Sequence, residues 1–424
     1  MHLEHCGSLQ TVVVMIYCHF SVALLCINVL FDLFVFGIPA YVLNKLHILP
    51  NSIFFYITSL IINWTTPIVI GMPMVLSGSN IYLDNVDLFV KAKQTDSLVL
   101  ANHGSRIDWM VGMFVGHMMN AKSKLSRQVR VGFVCEAVIQ FMPIIGWYRK
   151  IVTDDVFVWR SFERDGPAIT RNITRFHQAH AKRMLFLSPE GIVVDFGERD
   201  KEYIESCRNF SLAQGRRPLD YVLTPRHKGT RTLLQQVHAG GPVISVCIAY
   251  VRDGKLLNCR LTSPDRVVPD IYLLNQGISG KPVHVYVNLE LLNIDAQAQG
   301  TDINTKTLIM DDYDRKDRLL AEWAEEIKKG VHREDWNSRF QLVRGNKVEA
   351  ILYQVAHGFV MVAISLICGH LVTLVNLFTA LFLSVGSCHT IGWFMSSTSA
   401  ESVPFETGIK AILMFLFSEK KERQ

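Results

Sequence analysis

Ser97-Leu98-Val99-Leu100-Ala101-Asn102-His103-Gly104-Ser105-Arg106-Ile107-Asp108-Trp109-Met110-Val111-Gly112 decides how this chain folds. A short apolar run, long enough for a buried strand at 97–101, passes through a polar turn into an apolar helix pattern at 109–119. His103 and Asp108 stand five positions apart. On a continuous helix they would lie about 140° apart around the axis, so they must straddle the turn instead of sharing a face. That places the imidazole at a strand end and the carboxylate near a helix start, where sites in α/β domains commonly form. An imidazole accepts a proton near neutral pH, and a carboxylate on its other nitrogen fixes the tautomer and steadies the imidazolium. The chemistry this suggests is removal of a proton from a hydroxyl.

With 15 histidines in the chain, roughly one His-x4-Asp is expected by chance, so the pair needs corroboration. Phe186-Leu187-Ser188-Pro189-Glu190-Gly191 follows a second strand-like run, and Leu223-Thr224-Pro225-Arg226-His227-Lys228-Gly229 opens a further turn. In this order and at these separations the three blocks resemble the glycerolipid and lysophospholipid acyltransferase family. Asn102 to Met110, Pro143-Ile144-Ile145-Gly146-Trp147 and Tyr221 to Arg226 carry a closer likeness to its lysocardiolipin-acyltransferase-like branch. The resemblance runs over residues 10 to 395.

Composition points the same way. The chain has 424 residues, 49% of them hydrophobic, and a positive mean hydropathy, unlike an ordinary soluble enzyme. Of its 43 lysines and arginines, only Lys45 precedes residue 77 and only Lys410, Lys420, Lys421 and Arg423 follow residue 348. A normally charged, net positive middle thus sits between two apolar ends. The division expected is a membrane segment at 1–76, an acyltransferase α/β domain at 77–348, and C-terminal transmembrane helices with a basic tail at 349–424. Thr11 to Val42, interrupted only by Asp32, is long enough to cross about 30 Å of hydrocarbon. A cleavable signal peptide is disfavoured by that length and by a flank without Lys or Arg.

Ser52 to Leu76 is a second run, broken by Asn63, Pro67 and Pro73, and reads as a kinked span or a segment dipping into one leaflet. Ala350 to Cys368 and Leu371 to Phe394 read as further spans, and Phe405 to Phe417 as a short interfacial helix before the basic tail. The positive-inside rule puts the middle domain toward the cytoplasm, and the resemblance suggests the endoplasmic reticulum. Nine scattered cysteines suggest free thiols.

Strands are expected at 97–101, 130–134, 155–159, 183–188, 242–250 and 282–289, and helices at 109–119, 165–180, 202–214, 227–238 and 312–330. The alternation indicates an α/β fold, a mixed sheet flanked by helices, with transmembrane helices at both ends.

The resemblance implies roles. His103 is the general base that deprotonates a lysolipid hydroxyl as it attacks an acyl thioester, and Asp108 holds its ring. Arg160 matches the basic residue of the second motif and grips a substrate phosphate; its competing reading is a surface arginine after an edge strand. Glu190 and Gly191 fall in the third motif, where Glu190 accepts hydrogen bonds from the lipid head group or from neighbouring donors. Arg226 and Lys228 match the fourth block and bind coenzyme A or lipid phosphates at a helix start, against a reading as plain surface charge. His177 and His180 read as a solvated helix face.

One departure matters. Relatives that use lysophosphatidic acid usually carry Thr-Arg after the glycine, whereas this chain has Ile192-Val193. The missing cation favours larger diester lysolipids: lysophosphatidylinositol, lysophosphatidylglycerol or monolysocardiolipin. No metal or redox cofactor is implied; acyl-CoA is the co-substrate, and lysophospholipid and bilayer are the partners. A serine hydrolase is disfavoured because no Gly-x-Ser-x-Gly elbow occurs. A transporter or nucleic-acid binder lacks supporting motifs. A non-catalytic lipid or acyl-CoA binder is opposed by the retained His103 and Asp108.

Overall fold

A computed structural model describes residues 8–85, 87–88, 96–120, 129–194, 198–237, 241–294, 302–330, 336, 339–343 and 345–368. The strands are β1 Ile81–Leu83, β2 Ser97–Ala101, β3 Arg130–Glu136, β4 Val156–Val158, β5 Arg183–Leu187, β6 Val243–Arg252, β7 Lys255–Leu256, β8 His284–Leu292 and β9 Gln341–Val343. They form one mixed sheet in the order β4-β3-β5-β2-β6-β8-β1-β9, with β7 paired to β6. From β4 through β6 every neighbouring pair on this path is parallel. The β6–β8 pair is antiparallel. The central strands β2 and β6 are buried almost end to end, since both faces are covered: Leu98, Val99 and Leu100 are fully buried, as parallel strands between layers require.

The helices of eight or more residues are α1 Ser8–Asp32, α2 Ile38–Lys45, α3 Asn51–Ile70, α4 Asp108–Asn120, α5 Phe162–Gln178, α6 Glu198–Ala213, α7 His227–Val237, α8 Asp302–Lys329 and α9 Lys347–Cys368. Five of the positions expected for helices in the middle of the chain are helical. The last, α8, begins ten residues earlier than the expected 312, because Ile309 and Met310 already bury against the sheet side. It is a packing helix, with Tyr313, Leu320 and Trp323 in a cluster with Tyr286 and Trp336.

Thr11–Lys45 and Asn51–Leu76 are helical segments long and apolar enough to cross a membrane, with mean hydropathies of 2.3 and 1.7. The first absorbs a π-helical turn at Leu33–Gly37 and the second carries Pro67 and ends in another at Gly71–Leu76, so the proline-broken run is one helix with a distorted end. Lys347–Ile364 is a third such segment, shorter at 18 residues and with a lower mean hydropathy of 1.3. The expected span at Leu371–Phe394, the interfacial helix at Phe405–Phe417 and the basic tail lie outside the described residues.

Val13, Ile16, Phe20, Phe359 and Leu366 all point outward, an apolar exterior suited to lipid. Inside the bundle a polar clasp forms: Asp32 accepts from Thr65 Oγ1 at 2.7 Å and meets His357 Nε2 at 2.9 Å, joining α1, α3 and α9. Arg130 couples the bundle to the sheet. Its guanidinium donates to the Phe55 carbonyl at 2.9 Å on α3 and to the Val152 carbonyl at 2.7 Å.

Candidate active site

Because β2, β5 and β4 run parallel through β3, the turns that leave their C-terminal ends share one edge of the sheet. Those turns carry His103, Glu190 and Arg160. Strand β6 is longer than its parallel neighbour β2: Ala101, the last residue of β2, lies opposite Val246, and β6 continues to Arg252. Beyond the end of β2 the ladder is continued by a side chain. The Asn102 amide donates to the Ile248 carbonyl at 3.0 Å and accepts from the Ile248 N–H at 2.7 Å. Helix α8 satisfies the last carbonyls of β2, with Lys316 Nζ on Leu100 O and Tyr313 Oη on Ala101 O, both 2.9 Å. The chain is thereby held up to the residue where the turn begins.

His103 Nδ1 lies 2.8 Å from Asp108 Oδ2, the imidazole side chain 29% exposed and the carboxylate 10%. The strand-turn-helix geometry brings them together: Asp108 is the first residue of α4, and its Oδ2 also accepts from the Ser105 N–H at 3.3 Å. Its other oxygen accepts from the Tyr250 hydroxyl on β6. Tyr250 is fully buried, and its phenol is pushed well above its ordinary pKa by burial and by the Asp108 charge, so it remains a donor. With Nδ1 facing a carboxylate, that nitrogen carries the proton, which leaves the Nε2 lone pair free. Ser105 is a brace: its Oγ donates to Pro269 O at 2.7 Å and accepts from the Ile107 N–H at 3.0 Å.

Glu190 is 2% exposed. One oxygen accepts from the His103 N–H at 2.7 Å and the other from the Leu223 N–H at 3.0 Å. Of the two kinds of partner expected for it, the structure supplies neighbouring donors, and this carboxylate ties together the first, third and fourth sequence blocks. Burial raises its pKa, opposed by those two backbone donors. Gly191 adopts φ +78, a left-handed conformation natural to glycine, and its carbonyl accepts from Arg160 Nη2 at 2.7 Å.

Arg160 itself sits at φ 62, uncommon for a residue with a side chain, and also contacts Glu136 Oε2 at 3.3 Å. The Arg226 N–H donates to Pro189 O at 2.8 Å, while its exposed guanidinium donates to Tyr203 Oη at 2.9 Å. Lys228 is exposed at the second position of α7, and no contact joins it to the other candidates. Ile192 and Val194 bury against Ile204, Leu223 and Leu261. His177, exposed as expected, pairs with Asp96 at 2.8 Å.

Three residues that sequence reasoning passed over complete the surroundings. Tyr250 is hidden in a mostly apolar, buried strand. Asn258 donates to Ile248 O at 2.9 Å and accepts from the Tyr250 N–H at 2.9 Å, and its side chain packs on Gly104. Arg266, in the loop that follows, is 6% exposed. Neither of the last two stands in any motif, and only folding brings them to the turn. Among the described residues no group of three or more His, Cys, Asp or Glu side chains is gathered as a metal site requires.

The chain is 25% identical over 177 residues to 1-acyl-sn-glycerol-3-phosphate acyltransferase 3 of Arabidopsis thaliana, a stretch covering 42% of this chain and 43% of that protein. It is 23% identical over 253 residues to Lysophosphatidylinositol acyltransferase 10 of Caenorhabditis elegans, covering 59% and 57%. Both relatives are acyltransferases. The chain spans about half the length of the curated relatives it matches. No family model matches it. These similarities support a relationship to lipid acyltransferases.

Proposed function

We propose that the chain is a membrane-bound acyl-CoA:lysophospholipid O-acyltransferase. The observation that carries this reading is the His103–Asp108 contact at 2.8 Å, which leaves Nε2 directed away from its carboxylate partner. In the reaction Nε2 takes the proton of the lysolipid hydroxyl as that oxygen attacks the thioester carbonyl. The C–S bond breaks as the new ester forms, and the imidazolium returns its proton to the departing coenzyme A thiolate. Asp108 keeps the ring in one tautomer and stabilises the imidazolium, and Tyr250 and the Ser105 N–H hold Asp108 in turn.

Arg160, Arg226 and Lys228 supply positive charge toward phosphate groups, while Glu190 and Gly191 shape the turn that presents them. The favoured acceptors are lysophosphatidylinositol, lysophosphatidylglycerol and monolysocardiolipin, supported by the apolar Ile192-Val193 and by the longer of the two similarities. The second reading, acylation of lysophosphatidic acid, is favoured by the similarity to the Arabidopsis protein. The apolar helices at both ends anchor the protein in an endomembrane, the endoplasmic reticulum by resemblance, with the α/β layer toward the cytoplasm.

The test is acyl transfer from labelled acyl-CoA by the full chain in membranes, against these four lysolipids, comparing wild type with His103→Ala. The expected result is activity on the diester lipids that falls at least 100-fold in the variant. A folded His103→Ala protein with wild-type activity would refute the base, and activity confined to lysophosphatidic acid would refute the acceptor class.

A further inference from the structure

The loop between β7 and β8 runs alongside the turn that holds His103. Asn258 packs on Gly104, and Pro269 O accepts from Ser105 Oγ at 2.7 Å and from the Arg106 N–H at 3.3 Å. Between these two anchors lies Arg266, 6% exposed. Its Nη1 donates to the Cys259 carbonyl, and its buried Nε has no hydrogen-bond partner among the described residues. Asp108 and Glu190 are close enough for their charges to act on it. No described carboxylate forms a salt bridge with it, and both oxygens of Glu190 are already taken by backbone N–H groups.

A buried guanidinium with an open donor and no ion pair is costly. The two carboxylates whose charges act on Arg266, Asp108 and Glu190, are the ones that contact His103, which puts its open donor at the turn where an anion would meet that histidine. The third motif offers no cation here, since Ile192-Val193 follows Gly191 and Ile192 turns into an apolar cluster.

We propose that Arg266 binds the phosphate of the acceptor lysolipid, doing from the β7–β8 loop what the residue pair after Glu190-Gly191 does not do in this chain. A phosphate oxygen accepts from the free Nε, and the planar fork orients the head group so that the glycerol hydroxyl meets His103 Nε2. The thioester does not need this cation, so Arg266 discriminates acceptors and leaves the donor alone. This inference rests on the acyltransferase reading for its substrate.

The test is equilibrium binding to the full chain in detergent micelles, in a His103→Ala background so that turnover does not enter. The probes are lysophosphatidylinositol, a monoacylglycerol of the same chain, and a non-hydrolysable acyl-CoA thioether. Arg266→Met is expected to weaken lysophosphatidylinositol binding at least tenfold and to change binding of the other two less than twofold. In the parent background the same variant raises KM for lysophosphatidylinositol more than it lowers kcat.

Equal losses for all three probes, or a loss confined to the thioether, would overturn the assignment, the first marking a structural counter-charge and the second a coenzyme A contact. Should Arg266→Met not fold, Arg266→Lys carries the test: replacing the fork by a point charge is expected to weaken lysophosphatidylinositol binding threefold or more, and unchanged binding overturns it. A wild type that acylates lysolipids without depending on Arg266 refutes the arginine alone, whereas a wild type that neither binds nor acylates them refutes the acyltransferase reading.

Discussion

Replacing Glu190 tests whether this carboxylate serves the fold or the substrate. Its two oxygens accept from the His103 and Leu223 N–H groups at 2.7 and 3.0 Å, at a position 2% exposed. A hydrogen bond to a charged group contributes about 1.5–3 kcal/mol, and a buried donor left unsatisfied costs about 1–3 kcal/mol. Glu190→Ala, which strips two such donors at once, is therefore expected to cost roughly 3–6 kcal/mol, a large part of a typical total stability of about 5–15 kcal/mol. Glu190→Gln keeps one acceptor and turns an N–H2 toward the other donor, so roughly half that loss is expected.

Chemical denaturation of the full chain in detergent, followed by tryptophan fluorescence, measures both. Acyl transfer on the surviving folded fraction then separates stability from turnover. A Glu190→Gln protein as stable as wild type, with only its lysolipid KM raised, would show that the carboxylate faces the head group and that the reasoning is wrong.

Three further outcomes are expected. Tyr250→Phe removes the hydroxyl that donates to Asp108 and should lower kcat about tenfold, or about 1.4 kcal/mol, with KM within about twofold; steady-state kinetics with unchanged kcat would contradict the role given to it. Gly104→Ala places a Cβ 2.7 Å from Asn258 Nδ2. That amide is locked to β6 on both sides and cannot give way, so a loss of about 1–3 kcal/mol is expected in denaturant titrations. Asp312 is buried; burial alone would raise its pKa, but Lys316, Ser245 and Arg315 lower it below 3.8. A depressed folded value means that its contribution is present above 3.8 and lost as pH falls through the folded value. Asp312→Asn should therefore cost about 3–5 kcal/mol near pH 7, and the gap from wild type should close in denaturation curves taken below pH 3.8. A gap that widens on acidification would reverse the sign.

Much of the architecture was legible because its signals are local. Short apolar runs bounded by turn residues marked β2, β3, β4, β5, β6 and β8, and the five-residue separation of His103 and Asp108 required a turn between them. The two- and three-residue strands β1, β7 and β9 offer too few residues for alternation to register; β4, equally short, was legible because it sits in the continuous apolar run Val156-Phe157-Val158-Trp159. Helix α8 opens with a polar turn whose burial depends on the sheet beneath it. In the site, the partners of Glu190 are backbone N–H groups, which no side-chain pattern reveals. Tyr250 looks like any other residue of a buried strand, and Arg266 lies 163 positions after His103 in a loop whose path is fixed only by contacts with Gly104, Ser105 and Arg106.

The clasp between Asp32 and His357 spans 325 positions of chain. During synthesis the carboxylate leaves the ribosome early, with Thr65 as its first partner, and the histidine follows only after the whole α/β layer has been made. For that interval the apolar pair α1–α3 holds a half-satisfied acid, a costly group in a buried setting. Completion of the bundle is thus coupled to the last part of the described chain.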